Sequence, residues 1–383
     1  MNVVLAGGGS GGHVYPALAL AGALRRRDPG ARVLFIGSNA GMEAALVPAE
    51  DLPFAGLAVR PPRSRSAARS AVALATGAWS LLQAASIVAR FKPDVVVATG
   101  GIAAAPPVLA AWVMRVPVVL LEGNAALGRV NAVLARFARA VAVASAEAAS
   151  RVPGRRAFVT GLPVRPEIWS TPRDEGIRVF GLDPGRRTIV VVGGSQGAAR
   201  LNAAVDEMAR RLADRADLQI LHQTGRGWAR GDGGPENAPR GPASAARDER
   251  GIRHLRAAYF ERIGLAYGCA DLVISRCGAT ALAEITACGL PAILAPYRFA
   301  AGGHQAENAL PLARAGAAVV LEDATLGGEA LAREVRDILD TPGRRDAMAA
   351  RSRALGHPDA ADRVLDLLET CRGAAAVSKA SHA

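Results

Sequence analysis

The chain of 383 residues has few aromatics (4%), four cysteines and only two lysines, Lys92 and Lys379. With so few rings there is little on which bases could stack, and no recognition helix stands out, so nucleic acid is not the expected partner. The cysteines, Cys269, Cys277, Cys288 and Cys371, contain no Cys-x-x-Cys pair. That argues against a zinc ribbon or a disulfide scaffold and suits a reducing compartment. No Asp-x-Asp occurs, so a carboxylate-held metal has no evident ligands, and neither metal nor cofactor is expected. Met1 runs straight into an apolar strand with no basic stretch before it, so no signal peptide is expected. A long strongly apolar run is also missing. Ser70–Ala89 lacks charge but is mostly alanine and includes Thr76, Gly77, Ser80, Gln83 and Ser86, short of what a spanning helix needs. Leu74, Leu81, Leu82, Ala85 and Val88 share one face of that segment, which suits a helix covering a sheet. The flanking Arg60, Arg63, Arg65, Arg69, Arg90 and Lys92 also suit a helix lying at a membrane surface.

Half of the residues are apolar and 21% are charged, the composition of a globular protein. At ~100–200 residues per domain, the length implies two domains. The net charge of +12 is uneven: residues 1–165 hold 18 basic and 7 acidic side chains, whereas the remainder is nearly balanced. Such asymmetry points to an anionic partner for the first half. Apolar β-rich runs alternate with helical patterns. Strands are expected at Asn2–Ala6, Arg32–Ile36, Asp94–Ala98, Val116–Leu121, Ala140–Ala144 and Ala157–Thr160. After a break at Gly161–Pro166 they resume at Thr188–Val192, Leu218–Gln223, Asp271–Ser275, Ala292–Ala295 and Ala317–Leu321. This is the pattern of α/β domains with parallel sheets covered on both faces. The domains are drawn at 1–165 and 166–356, with 229–251 a surface loop and a disordered tail over 373–383.

Each half opens with a strand, a glycine-rich turn and a helix. Gly7-Gly-Gly-Ser-Gly-Gly-His13 precedes a helix expected to start near Pro16, and Gly193-Gly-Ser-Gln-Gly197 follows the Thr188 strand. Glycines let a ligand approach the backbone, and helix N-termini attract anions. Gly7, Gly9 and Gly12 satisfy G-x-G-x-x-G, but the tip of the second strand, Ile36-Gly-Ser-Asn39, carries no acid for a dinucleotide ribose. His13 follows the glycines and has the chemistry of a general base near neutral pH. Arg276–Glu284 places a carboxylate one to two turns into a helix, where it can accept ribose hydroxyls. His304, Gln305 and Asn308 offer groups suited to sugar hydroxyls, and Arg165 can meet a diphosphate.

These motifs, with Val14–Ala19, Ala98–Gly101 and Gly161–Arg165, resemble in order and spacing the MurG family, the UDP-N-acetylglucosamine:lipid I N-acetylglucosaminyltransferases of peptidoglycan synthesis. The resemblance covers about residues 1–370. It implies a GT-B fold, two Rossmann-like domains separated by a cleft, with a last helix over about 357–372 packing back on the first domain. It implies that Glu284 binds the ribose, that Ser195 and Arg165 meet the donor diphosphate, and that Phe260 contacts uracil through its backbone. Ala279, Thr280, Ala281, Leu282 and Ala283 would form the helix start facing the nucleotide, and Gln305 and Asn308 would hold GlcNAc. Ser10, Gly11 and Gly12 would face a diphosphate. His13 would be the base for the acceptor's C4 hydroxyl, giving an inverted β-1,4 link. Family members carry His-Glu-Gln-Asn after the fourth strand of those expected here; this chain has Leu121-Glu-Gly-Asn124, which keeps Glu122 as a catalytic candidate and Asn124 as a donor contact. The family's Asn-Pro-Val-Arg is Leu162-Pro-Val-Arg165, and its Ser/Thr-rich helix start is Thr280-Ala-Leu-Ala283. These departures leave open another glycolipid or natural-product acceptor, or a UDP-sugar epimerase of the same fold. The implied partners are UDP-GlcNAc, lipid I, an anionic inner leaflet on the cytoplasmic face of the cell membrane, and cell-wall or division machinery. The apolar part of the membrane contact would be the Ser70–Ala89 helix with Trp79 and Trp112, ringed by Arg63, Arg65, Arg69, Arg90, Lys92 and Arg115.

Overall fold

The computed structural model describes residues 1–59, 67–154, 156–194, 196–225, 244–246, 251–300 and 303–380, with backbone alone for 67–75, 244–246 and 374–380. Two compact units result: Met1–Arg165 with His357–Ala383, and Pro166–Gly356. In the first, β1 (Asn2–Gly7), β2 (Arg32–Ser38), β3 (Phe54–Leu57), β4 (Val95–Gly100), β5 (Val118–Glu122), β6 (Ala140–Val143) and β7 (Ala157–Val159) form one sheet in the order β3-β2-β1-β4-β5-β6-β7. Every pairing in it is parallel. Connecting helices are α1 (Gly11–Arg27), α2 (Glu43–Ala49), α3 (Ala67–Phe91), α4 (Ala105–Val113), α5 (Arg129–Leu134) and α6 (Ala146–Ser150). Val95–Val97 and Val119–Leu121 are buried residue after residue. A strand without polar alternation is stable only where helices cover both faces of its sheet. The edge strand β3 was not expected; Phe-Ala-Gly-Leu is short and carries a glycine, which weakens any strand pattern.

The second unit contains α7 (Pro166–Trp169), α8 (Arg173–Phe180), β8 (Arg187–Val192), α9 (Ala199–Arg211), β9 (Leu218–Gln223), β10 (Ser244–Ala246), β11 (Arg253–Ala257), α10 (Ile263–Gly268), β12 (Leu272–Ser275), α11 (Ala279–Cys288), β13 (Ala292–Leu294), α12 (His304–Arg314), β14 (Ala318–Val320), α13 (Gly328–Asp340) and α14 (Arg344–Leu355). Its sheet order is β10-β11-β9-β8-β12-β13-β14, parallel except for β10 on β11. Strand β11, Arg-His-Leu-Arg-Ala, hid behind its charges. The stretch 229–251 holds β10, so it is not wholly loop; the rest of it, apart from Gly251, lies outside the described residues.

The last helix, α15 (Ala360–Ala380), belongs to the first unit, where Arg27 Nη2 on α1 meets Asp366 at 2.6 Å. Residues 373–380, expected to be disordered, continue this helix. Alanines dominate that end, and extending a packed helix through alanine costs little. In α3 the buried face is Ser80, Ala84 and Val88, with Ser80 Oγ bonded back to Thr76 O at 2.7 Å. Leu81 and Leu82, expected on the sheet-covering face, point outward, Leu82 at 64% exposure. Among the described residues, no helix is long and apolar enough to cross a membrane.

Candidate active site

The functional motifs of the first unit gather where β1, β2, β4 and β5 end, the edge at which open parallel sheets bind ligands. Helix α1 begins at Gly11, with Ser10 as the residue before its first turn, so Pro16 lies in the second turn and not the first. His13 is therefore helical, and its side chain leans back over the strand ends, as helical side chains do. Its Nδ1 lies 2.9 Å from Gly8 O and 3.3 Å from Ser10 Oγ. A carbonyl only accepts, so Nδ1 carries the proton and Nε2 keeps its lone pair. A Cβ on Gly100 would come within 2.9 Å of Nε2. Gly101, at φ +80°, abuts the Gly8 carbonyl, an approach that a side chain would block. His13, Ser10, Gly11 and Gly12 are thus brought together with Thr99–Gly101.

Glu122 is also here, buried at the end of β5. Its Oε1 accepts from Asn124 N and Asn124 Nδ2, both at 2.9 Å, and its Oε2 from Gly128 N at 2.8 Å and Asn131 Nδ2 at 3.0 Å. Four donors meet the carboxylate and fix the 123–131 loop, the setting in which the catalytic expectation for Glu122 stands. Asn124 Nδ2 is one of those donors. Arg165 Nη1 pairs with Glu50 at 3.1 Å and its guanidinium lies over the Tyr15 ring; the structure places it against α1 and α2.

In the second unit Ser195 lies outside the described residues. The flanking turn is drawn tight: Gly197, at φ +83°, packs on the Thr224 carbonyl with no room for a side chain. Buried Gln223, at the end of β9, donates to Gly194 O at 3.3 Å and accepts from Phe260 N at 2.8 Å. It ties the glycine turn to the Phe260 segment. The Phe260 N–H is thereby engaged. The ring of Phe260 is buried edge-on against Phe180.

Gly278 precedes α11, and Ala279, Thr280, Ala281, Leu282 and Ala283 are its first residues. Leu282 faces the core, and the backbone N–H groups of the first turn, with the unpartnered Thr280 hydroxyl beside them, are the donors this helix start holds. Gln305 and Asn308, one turn apart on α12, close onto Cys277. Gln305 Oε1 accepts from Cys277 N at 3.2 Å and Tyr297 N at 2.8 Å, while Asn308 Nδ2 donates to Cys277 O at 3.1 Å. Expected as direct sugar contacts, both side chains first serve to fasten α12 to the end of β12. Glu284 is half-buried close to Tyr267, whose phenol is pushed well up by burial and, secondarily, by the Glu284 carboxylate. Burial also pushes the Cys277 and Cys288 thiols up to about 12, which keeps them from acting as nucleophiles.

Several organising groups were not singled out from sequence. Arg276 is buried, paired with Asp323 at 2.9 Å, and donates to Ala295 O and Pro296 O. A further group, Asp206, His222 and His254, has ligand atoms close enough to share a metal ion. Each already has partners: Asp206 holds Arg256 at 2.7 Å, and the histidines form a ladder from Asn202. Asn202 Nδ2 donates to Thr224 O, so its Oδ1 accepts from His222 Nε2 (3.1 Å), and His222 Nδ1 accepts from His254 Nε2 (3.2 Å). The signal in sequence was a histidine between apolar residues and two glutamines in one strand, Leu-Gln-Ile-Leu-His-Gln.

Two Rossmann-like parallel-sheet units, each with a glycine turn leading into a helix at the carboxyl edge of its sheet, are the architecture of the GT-B fold, and the family matches place this chain among the glycosyltransferases that use it. Residues 3–143 match the glycosyltransferase family 28 N-terminal domain, and 188–364 its C-terminal domain. A relative from Halothermothrix orenii, the UDP-N-acetylglucosamine–N-acetylmuramyl-(pentapeptide) pyrophosphoryl-undecaprenol N-acetylglucosamine transferase, is 39% identical over 97% of this chain and 100% of its own length. The enzyme of the same name from Desulforudis audaxviator is 41% identical over 97% and 99%. The crystal structure of Acinetobacter baumannii MurG superposes with a TM-score of 0.72 at 26% identity, covering 96% of this chain and 99% of that one. The chain belongs to the MurG family.

Proposed function

We infer that the chain is an inverting hexosyltransferase that moves GlcNAc from UDP-GlcNAc to the C4 hydroxyl of MurNAc in lipid I, forming lipid II for peptidoglycan synthesis. The observation that carries this reading is the similarity of about 40% along nearly the whole chain to enzymes named for that transfer. The same similarity speaks against another acceptor or an epimerase. The residue roles are ours. His13 Nε2 takes the proton of the C4 hydroxyl as that oxygen attacks C1 of GlcNAc, and the C1–oxygen bond breaks with its electron pair leaving on UDP. The Nδ1 proton assigned by Gly8 O supports this role. In the second unit, the α11 N-terminus and the Gly193–Gly197 turn bind the diphosphate, and Glu284 binds the ribose. Turnover of UDP-GlcNAc with a short-chain lipid I analogue tests the reading. Product that forms without any acceptor, as UDP-ManNAc, would overturn it.

We place the enzyme on an anionic membrane surface as a peripheral protein of the cytoplasmic face. Trp79, Leu82, Trp112 and Val113 are all more than half exposed on the contacting helices α3 and α4. Beside them Arg115, Arg136, Arg139 and Arg156 line a cavity of about 630 Å³ with Trp112 and Phe137. Apolar rings flanked by arginines suit a headgroup boundary. Arg60, Arg63 and Arg65, and the side chain of Arg69, lie outside the described residues.

A further inference from the structure

We propose that Glu43 is a positioning residue for His13 and acts on it through a single peptide unit; the proposal rests on His13 being the base. Glu43 opens α2 and is fully buried. Its Oε2 accepts from the Gly9 N–H at 3.0 Å and its Oε1 from the Ser38 N–H at 2.9 Å. The amide that carries the Gly9 N–H also carries the Gly8 carbonyl, and in a trans peptide these two point in opposite directions. Gly8 O is the atom 2.9 Å from His13 Nδ1. Carboxylate, N–H, C=O and imidazole therefore follow one another in a line. A buried negative charge at one end polarises the amide and makes its carbonyl a stronger acceptor at the other. That acceptor holds the proton on Nδ1, leaves Nε2 as the base, and stabilises the imidazolium formed when Nε2 takes the substrate's proton. It is the part a carboxylate plays in a carboxylate–histidine pair, with an amide inserted.

Two observations bear on how Glu43 is held. No cation pairs with Glu43 among the described residues, so backbone N–H groups answer its charge, one of them on the very peptide whose carbonyl meets His13; Glu122 is also held by neutral donors, but its bonds to Asn124, Gly128 and Asn131 do not run through that peptide. Three backbone segments also close on it: a Cβ on Gly8 (φ +151°) or Gly41 would overlap its carboxylate, and one on Gly37 would lie 2.6 Å from its Cγ. The acid absent from the tip of β2 in sequence is thus supplied from five residues beyond Ser38, and it faces inward to the loop, where no ribose can reach it.

The test compares Glu43→Gln, Glu43→Asp and His13→Ala in the full chain, with UDP-GlcNAc and a short-chain lipid I analogue. Glu43→Gln should lower kcat about tenfold to a hundredfold while KM for UDP-GlcNAc stays within about twofold. Glu43→Asp keeps the charge but not the shape and should retain more turnover than Glu43→Gln; the reverse order would mean shape alone matters and would overturn the proposal. Nitrogen-15 spectra of the His13 ring should report an Nδ1–H tautomer that is lost or mixed in Glu43→Gln. Wild-type turnover in Glu43→Gln beside a crippled His13→Ala overturns the relay and leaves the base standing. Near-normal turnover of His13→Ala overturns the base reading itself, and the ring spectrum of Glu43→Gln then decides by itself whether the peptide couples the two groups.

Discussion

Acidification should destabilise the second unit through the buried histidine ladder. His222 is completely buried and its ring is held down to about 3 by burial, with the Arg256 guanidinium adding to the effect. An unfolded histidine titrates near 6.5. The folded value lies below the unfolded one, so above pH 6.5 both states are neutral and stability is flat. Below 6.5 the unfolded chain binds a proton that the folded one refuses, and stability falls with pH. Between pH 7.5 and 5 one such group costs about 2 kcal/mol, or roughly thirtyfold in the opening equilibrium. His254 is also depressed, by burial first and then by His222 and Arg256, and acts in the same direction. The window stops at pH 5 because carboxylates such as Asp217, lowered by its bond to Arg215, contribute only in stronger acid. Hydrogen exchange read on peptides covering β9 and β11, corrected for the intrinsic rate, measures the effect. Protection unchanged to within about threefold across that range would refute the reasoning, as would a His222 ring signal titrating near 6.5.

Other outcomes follow from the site and the surface. His13→Ala should lower kcat by about 10²–10⁴ with UDP affinity retained, measured by initial rates and calorimetry. Glu284→Ala should act chiefly on KM for UDP-GlcNAc; an unchanged KM would remove it from the ribose. Asp323→Ala strands the buried Arg276 charge and should cost about 3–5 kcal/mol in urea unfolding. Trp112→Ser should weaken binding to vesicles containing anionic lipid, and that binding should itself fall with salt; equal binding to neutral vesicles would reduce the basic first half to composition.

Legibility differed sharply between fold and site. All eleven strands expected from sequence are present within a few residues, because an apolar β-run is a local signal and a parallel sheet demands it. The strands that escaped notice are those with weak local signals: the glycine-bearing β3, the three-residue β10 and the charged β11. In the site, residue type was readable but commitment was not. Glu122, Gln305 and Asn308 have the chemistry of ligand contacts, yet their bonds go to Gly128, Asn131, Cys277 and Tyr297. A carboxylate looks alike in sequence whether or not four backbone and side-chain donors meet it.

The sequence by itself determined two parallel α/β domains, the glycine turns at the edge where ligands bind, and the family, because periodicity and motif order are written along the chain. Tertiary structure alone decided which polar groups work on each other. Glu43 reaches Gly9 across 34 positions, Gln223 reaches Phe260 across 37, and Arg276 reaches Asp323 across 47. A hydrogen bond depends on angles and fractions of an ångström between atoms brought together by folding, and no local pattern encodes that meeting.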